Sequence, residues 1–122
     1  MLTGQIKSPD DIPEGDMRRE MPRFSPENFH LNMELVKRLQ DVARKSGCTS
    51  GQLALAWVRQ AGKNVKGHPQ VIALPGATTA ERVNENTKIV KLDEATLTEI
   101  EKILNEVKVV GTRYALHHLI EG

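Results

Sequence analysis

The sequence predicts a mostly helical piece of an α/β protein carrying one short strand of the parallel type. Two long stretches place apolar residues at helical spacing, and a third is apolar almost all the way round a helix. One run, Val71-Ile72-Ala73-Leu74, is continuously apolar like a strand covered on both faces, and it passes through Pro75-Gly76 straight into a capped helix start. A lone strand cannot bury itself. Leaving Val71, Ile72 and Leu74 bare forfeits ~1.5–3 kcal/mol each, a sum comparable with the ~5–15 kcal/mol net stability of a domain. Since parallel sheets are built from repeated strand-helix units, the partner strands are expected on residues outside this chain. The competing reading makes the run a connecting segment tucked between the helices of a small α-helical core.

Composition narrows the function classes. The 122 residues are 39% apolar and 27% charged, as in a globular protein of one modest domain. Two Phe, one Tyr and one Trp leave the core aliphatic. Seventeen basic residues against sixteen acidic ones give a net charge of +1, and only "DMRREMPRF" gathers three arginines, so a broad nucleic-acid surface is not expected. The N-terminal "MLTGQIKSPDD" has neither a basic leader nor an apolar run, and nowhere do some 18 apolar residues follow one another, so no membrane span and a cytoplasmic location are expected. The single Cys48 fits a reducing compartment and reads as a structural thiol ahead of a nucleophile.

Within the single unit 1–122, residues 1–28 hold four of the six prolines and read as a long loop, with one helical turn after Ser8-Pro9. Residues 29–62 carry two helices. In the first, with Ser25 as N-cap and Pro26 at its first position, Leu35, Val36, Leu39, Val42 and Ala43 recur at helical spacing and Gly47 ends the run. In the second, Thr49 and Gln52 form a T-x-x-Q capping box ahead of "LALAWVRQAG", an interior helix stopped by Gly62. "KNVKGHPQ" connects. Residues 71–90 give strand, turn and helix, the helix starting at a T-x-x-E box of Thr78 and Glu81 and running to about Val90. In 93–107, Asp93 caps a helix striped by Leu97, Ile100, Ile103, Leu104 and Val107; the tail 108–122 carries weak signals.

The strand-turn-helix segment has the chemistry of a nucleotide-phosphate site. A helix start exposes backbone N–H groups to an anion. Gly76 can adopt positive φ and admit a phosphate closely, Thr78 can cap or donate its hydroxyl, and Arg82, one turn on, can pair bidentately with phosphate oxygens. Glu85 and Asn86 share its helical face and can hydrogen-bond an adenine or ribose edge. On spacing alone a solvated polar face is the favoured reading of these three.

The motifs themselves are familiar. "VIALPGATTAERVNEN" resembles the last barrel strand and following helix of the aldo-keto reductases, whose Arg-x-x-Glu-Asn grips the adenosine 2′-phosphate end of NADPH. In the same order the chain carries "LTGQI", "GDMRREMPRFSPENF", "CTSGQLALAWV", "LDEATLTEIEKI" and "GTRY", so the resemblance runs from Leu2 to about Tyr114. It implies a C-terminal fragment, about the final third, of a (β/α)8 TIM barrel, a fold of typically ~250 residues. It further implies that Arg82 holds the 2′-phosphate, that Glu85 and Asn86 contact adenine, and that Gly76, Ala77 and Thr78 supply the turn around the phosphate. Many members have lysine at the place of Gly76 and serine at that of Ala77, so NADP is the expected cofactor with NAD kept as an alternative.

In the whole enzyme implied by the resemblance, hydride passes from the nicotinamide dinucleotide to an aldehyde or ketone while a tyrosine donates the proton. The family's catalytic Asp, Tyr, Lys and His lie before the position matching Met1, so no catalytic residue is assigned and the isolated chain is expected not to turn over. Tyr114 falls in the C-terminal segment and is not that tyrosine. His117-His118 reads as surface ahead of metal, and no metal site is expected; His30 and His68 read as loop or helix-end residues. Two other classes compete. "LVKRLQDVARKSGCTSGQLALAWVRQ" has the outline of a helix-turn-helix, but Leu53 to Val58 offer little polar surface to a groove. A non-catalytic interaction protein would instead dock through an unburied barrel surface, either on itself or on a full-length reductase.

Overall fold

The computed structural model describes residues 1–61 and 71–114, with the backbone alone at Ala61. Three 3-10 turns, Pro9–Asp11, Met17–Glu20 and Pro22–Phe24, lead into four helices, α1 (Pro26–Lys45), α2 (Ser50–Ala61), α3 (Ala80–Thr87) and α4 (Glu94–Glu106). The stop at Gly62, the connector 63–70 with His68, and the tail from 115 on with His117 and His118 lie outside the described residues.

Helix α1 forms where its apolar stripe predicts and packs against α4 and α2. Leu35, Val42 and Ala43 of α1, Leu53 and Ala56 of α2, and Leu97, Ile100 and Ile103 of α4 make one aliphatic core, each large side chain stabilising by ~1.5–3 kcal/mol on burial. Ion pairs between Lys45 and Glu99 at 2.9 Å and Arg38 and Glu106 at 2.6 Å run from α1 to α4 outside this core. Such exposed pairs add ~0–1 kcal/mol each. Gly47, at φ +64°, turns the chain out of α1 as expected. Ser25 does stand at the N-cap of α1, but its hydroxyl makes no capping bond. Asp93 caps α4 through its Oδ1, which accepts from the Thr96 N–H at 2.8 Å.

The loop of residues 1–28 is more ordered than its prolines predict, with three short turns instead of one. Ile6 and Ile12 anchor it on Phe29 in a second, smaller apolar cluster. Asn32, 2% exposed on α1, joins it to the far end of the chain. Its Nδ2 donates to the carbonyls of Arg23 at 3.1 Å and Val110 at 3.0 Å, and its Oδ1 accepts from the Val110 N–H at 2.9 Å.

Three expectations need correction. Val71 to Leu74 is neither a strand nor buried: no strand exists among the described residues, and Val71, Ile72 and Leu74 are 42%, 77% and 94% exposed. A strand needs a neighbour to pair its N–H and C=O groups, and none of the backbone hydrogen bonds among the described residues involves this segment. Helix α2 is not an interior helix on all sides; it buries Leu53 and Ala56 but exposes Ala54 and leaves Trp57 and Val58 half-buried. The third concerns α3, which starts from Thr79, one residue later than expected, and ends at Thr87 instead of Val90. Leu104, counted in the α4 stripe, is 40% exposed. With Leu2, Leu39, Leu53, Ala54 and Trp57 it lines an apolar groove of about 130 Å³ between α1, α2 and α4.

Candidate functional site

Helix α3 is short and polar, and it is held against the start of α2 by hydrogen bonds, with no buried residue of its own. The T-x-x-Q box of α2 forms as predicted. The Thr49 N–H donates to Gln52 Oε1 at 3.1 Å, and Thr49 Oγ1 accepts from the Gln52 N–H at 3.2 Å. Each box side chain then reaches α3: the Thr49 hydroxyl donates to Glu85 Oε1 at 2.7 Å, and Gln52 Nε2 donates to the Glu85 carbonyl at 3.1 Å.

On the other side of the same carboxylate, Arg82 Nη1 donates to Glu85 Oε2 at 2.6 Å, with the two side chains 34% and 25% exposed. Arg82 and Glu85 therefore lie together on one helical face, as their spacing predicts. Asn86 turns toward the Pro-Gly segment, where its Nδ2 donates to the Gly76 carbonyl at 3.4 Å, and its own carbonyl accepts from Arg59 Nη2 at 3.4 Å. Gly76, Ala77 and Thr78 are exposed beside this helix start. A Cβ on Gly76 would meet nothing within 4 Å, so that side of the turn is open.

Two details of the expected phosphate site differ. Gly76 is absent from the glycines at positive φ, so the turn does not use the conformation that only glycine adopts freely. Thr79, not Thr78, caps α3: its Oγ1 accepts from the Arg82 N–H at 3.2 Å. Glu81 also occupies this end, its own backbone N–H and the Thr79 hydroxyl holding its carboxyl below the usual carboxylate range. The Arg82 N–H, one of those expected to face an anion, is thus satisfied within the chain. What stays available is the remainder of the Arg82 guanidinium, whose five N–H donors outnumber the one spent on Glu85.

Sequence reasoning missed three contributors. Thr49 and Gln52 were legible as a cap but not as partners of Glu85, 36 and 33 residues away. Arg59 adds a second cation beside Asn86 from the α2 side, with no local signal to mark it. Cys48 is half-buried and free, and burial pushes its thiol pKa up against the opposing pull of Lys88, the environment of an inert thiol. His30 sits on an exposed turn of α1 with Nδ1 3.3 Å from the Pro26 carbonyl. Among the described residues no cluster of His, Cys, Asp or Glu could hold a metal, and no helix is long and apolar enough to cross a membrane.

The family model for the aldo/keto reductase family matches residues 1–105, and the chain belongs to that family. The Schizosaccharomyces pombe protein named aldo-keto reductase yakc, whose name specifies NADP(+), is 41% identical over 115 residues, covering 93% of this chain and 32% of its own length. Aldo-keto reductase str7 of Strobilurus tenacellus is 35% identical over 117 residues, covering 94% of this chain and 33% of its own length. The chain spans about a third of the length of these relatives. No solved structure matches it.

Proposed function

We propose that this chain is the cofactor-binding C-terminal portion of an NADP(H)-dependent aldo-keto reductase, a wedge of a (β/α)8 barrel that grips the adenosine end of the nicotinamide dinucleotide. One observation carries this reading: Arg82 presents a third of its side chain to solvent on one polar face with Glu85 and Asn86, next to the open turn at Gly76. A phosphate ester on the ribose would take the free edge of the Arg82 guanidinium, and the adenine edge would lie along Glu85 and Asn86, with Gly76, Ala77 and Thr78 forming the rim. Binding of this kind is uniform for the oxidised and reduced cofactor. In the complete barrel it serves to hold the nicotinamide for hydride transfer to an aldehyde or ketone, with the proton-donating step outside these residues. The reading is supported by the family match and by the NADP(+) in the name of one relative.

Fluorescence titration with NADPH and NADH tests it. The chain is expected to bind the 2′-phosphorylated cofactor more tightly than the unphosphorylated one, and Arg82→Ala to remove that difference by costing ~1.5–3 kcal/mol on the phosphorylated cofactor alone, the worth of a hydrogen bond to a charged group. Equal affinity for both cofactors in the unmutated chain would rule out the 2′-phosphate role of Arg82.

A second role rests on a different observation. Ile72 and Leu74 are 77% and 94% exposed, and the groove beside Trp57 is apolar. Each is an apolar area suited to association with another copy.

A further inference from the structure

We propose that Thr49 is a positioning residue for 2′-phosphate recognition: its hydroxyl holds one oxygen of Glu85 so that the Arg82 fork stays open to an adenosine 2′-phosphate. This rests on the proposed cofactor role of Arg82.

The direction of the Thr49 hydroxyl is fixed by the helix it caps. Its oxygen accepts the Gln52 N–H at 3.2 Å, so the lone-pair side faces α2 and the single hydrogen is left to point outward. That hydrogen meets Glu85 Oε1 at 2.7 Å. Gln52 repeats the arrangement: its Oε1 closes the capping box on the Thr49 N–H, and its spare Nε2–H donates to the Glu85 carbonyl. One hydrogen from each side chain of the capping box therefore reaches the same residue of α3, fixing its backbone and its carboxylate at the same time. The carboxylate is also drawn to this place by the positive end of α2, since the Cβ position of Gly51, in the first turn, lies 3.9 Å from Glu85 Oε1.

Arginine and a carboxylate left to themselves form a fork-to-fork pair through both oxygens. Here Glu85 offers Arg82 only Oε2, met by Nη1 at 2.6 Å, because Oε1 is engaged by Thr49. Without the hydroxyl, Glu85 is free to rotate both oxygens onto the guanidinium and occupy the edge that a phosphate needs. Thr49 thereby sets how strongly the neighbouring carboxylate competes with the ligand, although it need not touch the ligand itself.

The probes are adenosine 2′,5′-bisphosphate and adenosine 5′-monophosphate, titrated calorimetrically into the full chain. Thr49→Val, which keeps the shape and removes the hydroxyl, is expected to weaken the bisphosphate about five- to tenfold, the effect of one hydrogen bond of ordinary net strength, and the monophosphate by less than about twofold. Thr49→Ser restores the hydroxyl and is expected to restore the selectivity. Glu85→Gln removes the competing charge, so adding Thr49→Val on that background is expected to leave the ratio of the two affinities unchanged, a rescue that a merely structural defect would not show. If Thr49→Val fails to fold, Thr49→Asp caps α2 without donating to Glu85 and is expected to lose the same selectivity. An unmutated chain that prefers the bisphosphate while Thr49→Val or Thr49→Asp keeps that preference overturns the positioning role and spares Arg82. An unmutated chain with no preference overturns both.

Discussion

Asn32 shows how a single buried amide can organise distant segments. Its three bonds go to main chain, at Arg23 and at Val110, so the side chain substitutes for the secondary structure that those two segments lack. Its neighbour Gly111 completes the junction at φ +83°, so close to Pro22 that a Cβ would fall 2.8 Å from the Pro22 carbonyl carbon and oxygen. Asn32→Leu fills similar volume but strands the backbone groups, each at a cost of ~1–3 kcal/mol. The substitution is expected to lower the urea midpoint by the equivalent of at least ~2 kcal/mol, with hydrogen exchange rising first at Val110. Nothing in the sequence marks Asn32, because a polar residue on the core face of a helix gives the same signal as one on the solvated face.

At the scale of elements, local chemistry decides the outcome wherever the sequence reading succeeds. Asp93 caps α4 through the Thr96 N–H, and Asp93→Ala is expected to cost ~1 kcal/mol (range ~0.5–2) in urea denaturation, with the midpoint moving and the slope unchanged. The Thr49-Gln52 box and the Gly47 turn were legible for the same reason, since each is written within four residues. The start of α3 was misplaced by one residue because Thr78 and Thr79 stand side by side and both satisfy a capping pattern; the three-dimensional turn selects Thr79. Arg82, Glu85 and Asn86 were legible as a group because helix periodicity alone brings them together. Their ties to Thr49, Gln52 and Arg59 were not, because those depend on how α2 and α3 meet, which no local pattern encodes. The strand expected at Val71–Leu74 failed on the same ground: a ladder is a relation between segments, and apolar composition specifies only one side of it.

At the scale of the whole molecule, burial among the described residues is uneven. The α1–α2–α4 core is closed at Val42, Ala43, Ile100 and Ile103, each at most 3% exposed, while Ile72 and Leu74 face solvent. Size-exclusion chromatography across a hundredfold range of concentration is expected to show a shift toward larger species, which Ile72→Lys with Leu74→Lys abolishes without loss of helical circular dichroism. A concentration-independent monomer would remove self-association from the account.

The apolar tetrad has prolines near both ends, at Pro69 and Pro75. A proline cannot donate to a ladder and resists incorporation into stacked strands. Steric-zipper cores draw on segments of some six or seven residues, more than the five positions that Pro69 and Pro75 enclose. If copies do meet at the tetrad, its shortness and its flanking prolines are expected to stop them at finite, reversible clusters and to keep fibrils from growing out of it.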